Sequence, residues 1–118
     1  MIEIATKQYD LEDRTFKFAK RVRDLVRLIP RTISNIEYAR QLIRSSSSIG
    51  ANYIEANESL GRKDFLMRIK ISRKEAKESR YWLKLIYINL ELEKEVSNLI
   101  QEATELMNIF GSIIQKSR

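Results

Sequence analysis

The chain has 118 residues, 43% of them hydrophobic, and 22 basic against 16 acidic side chains leave a net charge of +6. That length fits one domain with a real core, and three glycines and one proline argue against disorder and against a β-turn-rich fold. The absence of cysteine and histidine excludes disulfides, cysteine nucleophiles, structural zinc and imidazole chemistry, while the basic balance suits nucleic acid or an acidic partner.

The first expected element is a helix over 10–29, capped by Asp10 or Asp13. Phe16, Ala19, Val22, Leu25, Val26 and Ile29 recur at three and four on one face, and Pro30 ends it. A second helix, 33–59, starts after Thr32 or Ser34. Its apolar stripe reads Ile36, Ala39, Leu42, Ile43, Ser46, Gly50, Tyr53, Ile54 and Asn57. Gly61 breaks the pattern, and Asp64 is placed to cap a third helix, 63–90. That helix buries Phe65, Ile69, Ser72, Ala76, Ser79, Leu83, Ile86 and Leu90. After the charged link "ELEKE" a fourth helix, 93–116, carries Val96, Leu99, Ile100, Ala103, Leu106, Met107, Phe110, Ile113 and Ile114. No window alternates with period two. Four helices with short links predict an all-α, up-down-up-down antiparallel bundle in a single domain, 1–118.

The stretch "SSSSIGANYIEANES", 45–59, is built of weak helix formers inside this pattern. Ser46 and Gly50 fall on the core stripe of the second helix, and Ser72, Ala76 and Ser79 on that of the third. Small residues on facing stripes let two helix axes come close.

A polar stripe, Gln41, Arg44, Ser48, Asn52 and Glu55, runs along another side of the second helix. The third helix has a comparable second face of Ile71, Glu78, Trp82, Leu85 and Asn89, with Arg68 and Glu75 between. Two readings stand. Trp82 packs into a wide core, or Arg44, Ser48, Asn52, Glu55, Arg68, Glu75, Glu78 and Trp82 form a seam within or between subunits.

"RSSSSIGANYIEANES" followed by "RKDFLMRIKISRKEAKESRYWLKLI" resembles the four-helix bundle family also called 23S rRNA-intervening-sequence proteins. The pattern is carried by Gln41, Leu42, Arg44, Ser48, Ile49, Ala51, Asn52 and Glu55. It continues through Asp64, Phe65, Lys74, Glu75, Ala76, Glu78, Ser79, Tyr81, Trp82 and Leu83. Asn57, near a position where many relatives have glycine, and the polar tail after Ile114 depart from it. The resemblance implies a left-handed bundle assembling as a ring-like homopentamer, in a family for which no catalytic residue or cofactor is established.

Charge is concentrated. Residues 60–84 hold nine basic side chains against three acidic ones, a net +6 that equals the charge of the whole chain. Lys70, Arg73, Lys74, Lys77, Arg80 and Lys84 share one side of the third helix, the footprint expected for a phosphate backbone. The competing reading is a solubilising lysine face. The first helix adds Arg14, Lys17, Lys20, Arg21, Arg23, Arg27 and Arg31, set against Asp10, Glu12, Asp13 and Asp24. Nothing marks a platform for stacking RNA bases, so RNA or DNA binding without sequence readout is the expectation, with a protein scaffold as the rival.

Enzyme chemistry finds little support. Di-metal bundles use Glu-x-x-His pairs, and Glu75-x-x-Glu78 has no histidine to join it. No phosphate-binding loop or serine elbow occurs. The expectation is a non-enzymatic protein with no metal, cofactor or small-molecule substrate. No segment has signal-peptide or membrane-span character, which predicts a cytoplasmic protein.

Overall fold

In the computed structural model the structure describes residues 2–117, with side chains from Leu11 onward. Among these residues there are four long α-helices and no strand. They are α1 (Ile2–Val26), α2 (Ile33–Asn57), α3 (Arg62–Leu85) and α4 (Glu93–Lys116), with a short 3-10 turn at Leu90–Leu92. Each helix packs on its chain neighbours and α4 closes back on α1. Cross-helix contacts run in opposite chain order. Arg14 and Arg21 of α1 meet Glu102 and Glu95 of α4, and Ser45 and Asn52 of α2 meet Ser79 and Arg68 of α3. The molecule measures 45 × 24 × 19 Å.

The helix ends have identifiable causes. α1 starts well before Asp10 and Asp13, so neither caps it. Asp13 lies inside the helix and pairs with Lys17 one turn on, at 2.8 Å, whereas the Asp10 side chain lies outside the described residues. At the other end α1 stops at Val26, ahead of Pro30, because the residue before a proline resists the helical conformation. Thr32 caps α2 by accepting a hydrogen bond from the Asn35 amide at 3.1 Å. The extended N-cap of α3 is Gly61, and Asp64 sits in the first turn instead, where its charge favours the helix dipole. α3 ends at Leu85, five residues earlier than the pattern predicts. There Asn35 captures the chain: its Oδ1 accepts from the Tyr87 amide at 2.8 Å, and its Nδ2 donates to the carbonyls of Tyr87 and Pro30. Asn89 and Leu90 therefore lie beyond α3, and Leu90 is exposed.

The core comprises Leu11, Phe18, Val22, Leu25 and Ile29 from the first segment, and Leu42, Ile49, Tyr53 and Ala56 from α2. Ile69, Ala76, Leu83 and Ile86 join from the third segment, with Val96, Leu99, Ala103, Leu106, Phe110 and Ile114 from α4. Besides Leu90, four residues that the helical pattern assigns to core stripes are exposed: Phe16 (63%), Ile36 (47%), Ile43 (45%) and Ile54 (49%). The inward face of α2 is rotated from the expected one, because Asn35, Ser45 and Ile49 turn inward and Ala56 completes the stripe.

The serines explain that rotation. Ser45 Oγ lies 2.8 Å from Ser79 Oγ, and Ser72 Oγ donates to the Ile49 carbonyl at 2.9 Å. Side chains this small let α2 and α3 meet closely while every hydroxyl keeps a partner. Ser46 is buried as expected. Gly50, by contrast, faces α1. A Cβ there would stand 2.8 Å from Thr15 Oγ1, so glycine permits the approach of α1 to α2, not of α2 to α3.

Candidate nucleic-acid interface

The rotation of α3 is set by its buried residues, Ile69, Ser72, Ala76, Ser79 and Leu83. Lys70, Arg73, Lys77, Arg80 and Lys84 each follow one of these directly. A step of about 100° then places all five on the same flank, beside α4. Lys74 continues the row outward. Lys70, Arg73, Lys74, Lys77 and Lys84 are exposed, and Arg80 is half-buried. Lys84, in the last turn, also favours the dipole of its own helix. From Lys70 to Lys84 the row runs about 21 Å along the axis at the ordinary helical rise.

The ionic surroundings of this row differ from those of α1. Arg14 makes a two-pronged contact with Glu102, with bonds of 3.0 and 2.7 Å, and also reaches Glu105 at 3.1 Å. Arg21 holds Glu95 in the same way, at 3.2 and 2.9 Å. Lys17 pairs with Asp13, and Arg23 with Asp24. The hydrogen bonds that Arg21 donates to the Glu95 carboxylate raise its pKa above the ordinary value. Hydrogen bonds from Gln101 and Arg14 hold the Glu105 carboxyl below the usual carboxylate range. Four cations of α1 are thus matched by carboxylates. None of the six cations of the α3 row makes an ion pair among the described residues. The pairs between α1 and α4 left a trace in the sequence: Arg14 and Arg21 are seven apart, as are Glu95 and Glu102.

The predicted seam assembles in part. Asn52 Nδ2 donates to the Ser48 carbonyl at 2.9 Å and to Ser48 Oγ at 3.0 Å, and Arg68 Nη1 donates to Asn52 Oδ1 at 3.0 Å. Arg44 and Glu55 are exposed, and Glu75 and Glu78 are half-buried. None of these four joins an ion pair among the described residues. Trp82 stacks on Tyr38 with ring centres 5.9 Å apart, and Tyr81 meets its edge at 5.1 Å. The Trp82 Nε1 donor is buried without a partner among the described residues.

Among the described residues no group of three or more His, Cys, Asp or Glu is placed to hold a metal ion, and no helix is long and apolar enough to cross a membrane.

The described residues form a four-helix protein whose α2 and α3 close on small hydroxyl side chains, which sets its class as all-helical. Residues 7–112 match the family model described as 23S rRNA-intervening sequence protein, and the chain belongs to that family. It is also similar to a solved structure from Bacteroides thetaiotaomicron VPI-5482, a protein of unknown function from the S23 ribosomal protein family. The two share 32% identity and a TM-score of 0.80, over 92% of this chain and 98% of that one. No curated protein matches the chain.

Proposed function

We propose that the protein is a non-enzymatic, cytoplasmic homo-oligomer that binds the phosphate backbone of RNA or DNA through α3 without reading base sequence. The carrying observation is the contrast between the two basic helices. The row from Lys70 to Lys84 has no carboxylate partner among the described residues, whereas Arg14, Lys17, Arg21 and Arg23 all have one. Unmatched cations on one flank are free to displace the counterions of a polyphosphate. The family description names an intervening sequence of 23S rRNA, which makes RNA the first polyphosphate to test. Acylation of surface amines tests the reading. Bound RNA protects Lys70, Lys74, Lys77 and Lys84, while Lys20 and Lys94, off the row, stay reactive. Equal reactivity at all six lysines with and without RNA contradicts it.

Self-association is the second part of the proposal: up-down-up-down, left-handed bundles joined in a ring, a pentamer in line with the family resemblance. Ile36, Ile43 and Ile54 repeat at seven and eleven residues, so they form one exposed apolar edge of α2. The seam presents half-buried Glu75 and Glu78, neither in an ion pair among the described residues. Two unlike surfaces on one chain are what a closed ring of heterologous contacts needs. In sedimentation velocity the wild type is expected to run as an oligomer. Ile43→Lys combined with Ile54→Lys should run as a monomer of unchanged helix content. A wild type that is monomeric at micromolar concentration, or a double variant of unchanged mass, contradicts the ring.

A further inference from the structure

Arg73 and Gly111 meet where α3 passes α4. A Cβ on Gly111 would stand 3.4 Å from Arg73 Nε and 3.9 Å from its Cδ, so the end of the arginine stem lies against the glycine. Glycine weakens a helix interior, and α4 keeps one where Arg73 crosses. Beside this crossing lies a groove of about 240 Å³ lined by Lys70, Arg73, Lys74, Lys77 and Ile114. Its walls bring four cations and one apolar side chain, and no carboxylate. Lys70 and Lys77 are about 10 Å apart along the helix axis, with Arg73 and Lys74 between them. Like charges this close repel one another unless an anion sits among them.

We infer that this groove between α3 and α4 is the seat of one backbone phosphate of a bound polynucleotide, with Arg73 along its floor against Gly111, where a Cβ would make ordinary contact but a longer side chain would reach into the arginine. The inference rests on the nucleic-acid reading above and makes it specific. The guanidinium of Arg73 can grip two phosphate oxygens at once, whereas Lys70, Lys74 and Lys77 act as point charges around the same group. Arg80 and Lys84 lie farther along α3, outside the groove, and meet neighbouring phosphates through charge alone. The six cations are therefore unequal, and a residue of α4 that carries no charge takes part in binding.

The test compares wild type, Gly111→Leu, Arg73→Gln and Lys84→Gln by fluorescence anisotropy with a labelled 20-nucleotide oligouridylate at fixed salt, each protein checked by circular dichroism. Gly111→Leu keeps all six cations yet lifts Arg73 from its seat. It is expected to weaken binding about tenfold and to reduce the salt slope by about one phosphate's worth. Arg73→Gln should lose about as much, and Lys84→Gln only about twofold to threefold. If wild type binds but Gly111→Leu binds equally well, or if Lys84→Gln costs as much as Arg73→Gln, the seat is overturned and the broader reading stands. If wild type binds no oligonucleotide, both fall. Should Gly111→Leu misfold, the comparison of Arg73→Gln with Lys84→Gln decides alone, because both side chains are exposed.

Discussion

Replacing Lys70, Arg73, Lys77 and Arg80 together by glutamate is expected to abolish retention of RNA or DNA while the helices remain folded. The substitution changes the net charge from +6 to −2 and puts four carboxylates where a polyphosphate would lie. A protein using about six phosphate contacts loses roughly a thousandfold in affinity when salt rises fourfold. Removing four of the contacts and adding repulsion costs at least as much at constant salt. The fold is expected to tolerate the change, because none of the four gives up an ion pair and Lys70, Arg73 and Lys77 are exposed. Filter retention measures the loss, and far-ultraviolet circular dichroism checks the helices. Retention that survives the fourfold reversal at moderate ionic strength would show that α3 does not carry binding.

The largest structural effect is expected at Asn35. Its side chain is 1% exposed and uses all of its main bonding capacity, donating to the carbonyls of Pro30 and Tyr87 and accepting from the Tyr87 amide. One residue thus ties the α1–α2 link to the end of α3. Alanine there orphans two carbonyls and an amide, each worth about 1–3 kcal/mol if it stays buried and dry. Partial access of water to the loops reduces the sum, so about 3 kcal/mol is expected, or a fall of about 10 °C in Tm. Asn35→Asp should be no milder, since a carboxylate cannot donate to the Pro30 and Tyr87 carbonyls. A thermal melt of either variant within 2 °C of the wild type would contradict the clamp, about half the shift that even 1 kcal/mol produces.

This clamp shows why part of the fold was not legible in the sequence. The apolar repeats of α3 and α4 are periodic enough to name nearly every buried residue, from Ile69 to Leu83 and from Val96 to Ile114. The end of α3 is different. "LIYINLELE" contains no glycine or proline, and the helix stops because a side chain fifty-two residues away takes the Tyr87 amide. A capture of that kind leaves no local mark. α2 was misread for a related reason. Its isoleucines outweigh its serines on any hydrophobic scale, so the pattern chose a face through Ile36, Ile43 and Ile54. Hydroxyl pairing with α3 and the tight passage of Gly50 past Thr15 favour another rotation.

The candidate site divides in the same way. The α3 row was visible because five of its six cations, all but Lys74, follow a core residue by one step, so a single helical period orders both. What charge counting missed is which cations are already matched. Helix α1 carries six basic side chains against five acidic ones of its own, and Glu95, Glu102 and Glu105 of α4 are placed against Arg14 and Arg21 besides. The seam was partly visible: Ser48, Asn52 and Arg68 connect as their spacing implied, while Arg44, Glu55, Glu75 and Glu78 find no charged partner among the described residues. Pairing across a bundle depends on azimuth and helix stagger together, and a one-dimensional pattern records only the first.

Salt titration of wild-type binding tests the central claim most directly. Affinity for a duplex oligonucleotide, measured from 50 to 200 mM monovalent salt, is expected to fall about a thousandfold. That corresponds to a slope near −5 in log affinity against log salt if the six α3 cations each displace about one counterion. A slope near zero, or no measurable binding at 50 mM, would contradict a phosphate-binding role for α3 and leave its charge a matter of solubility.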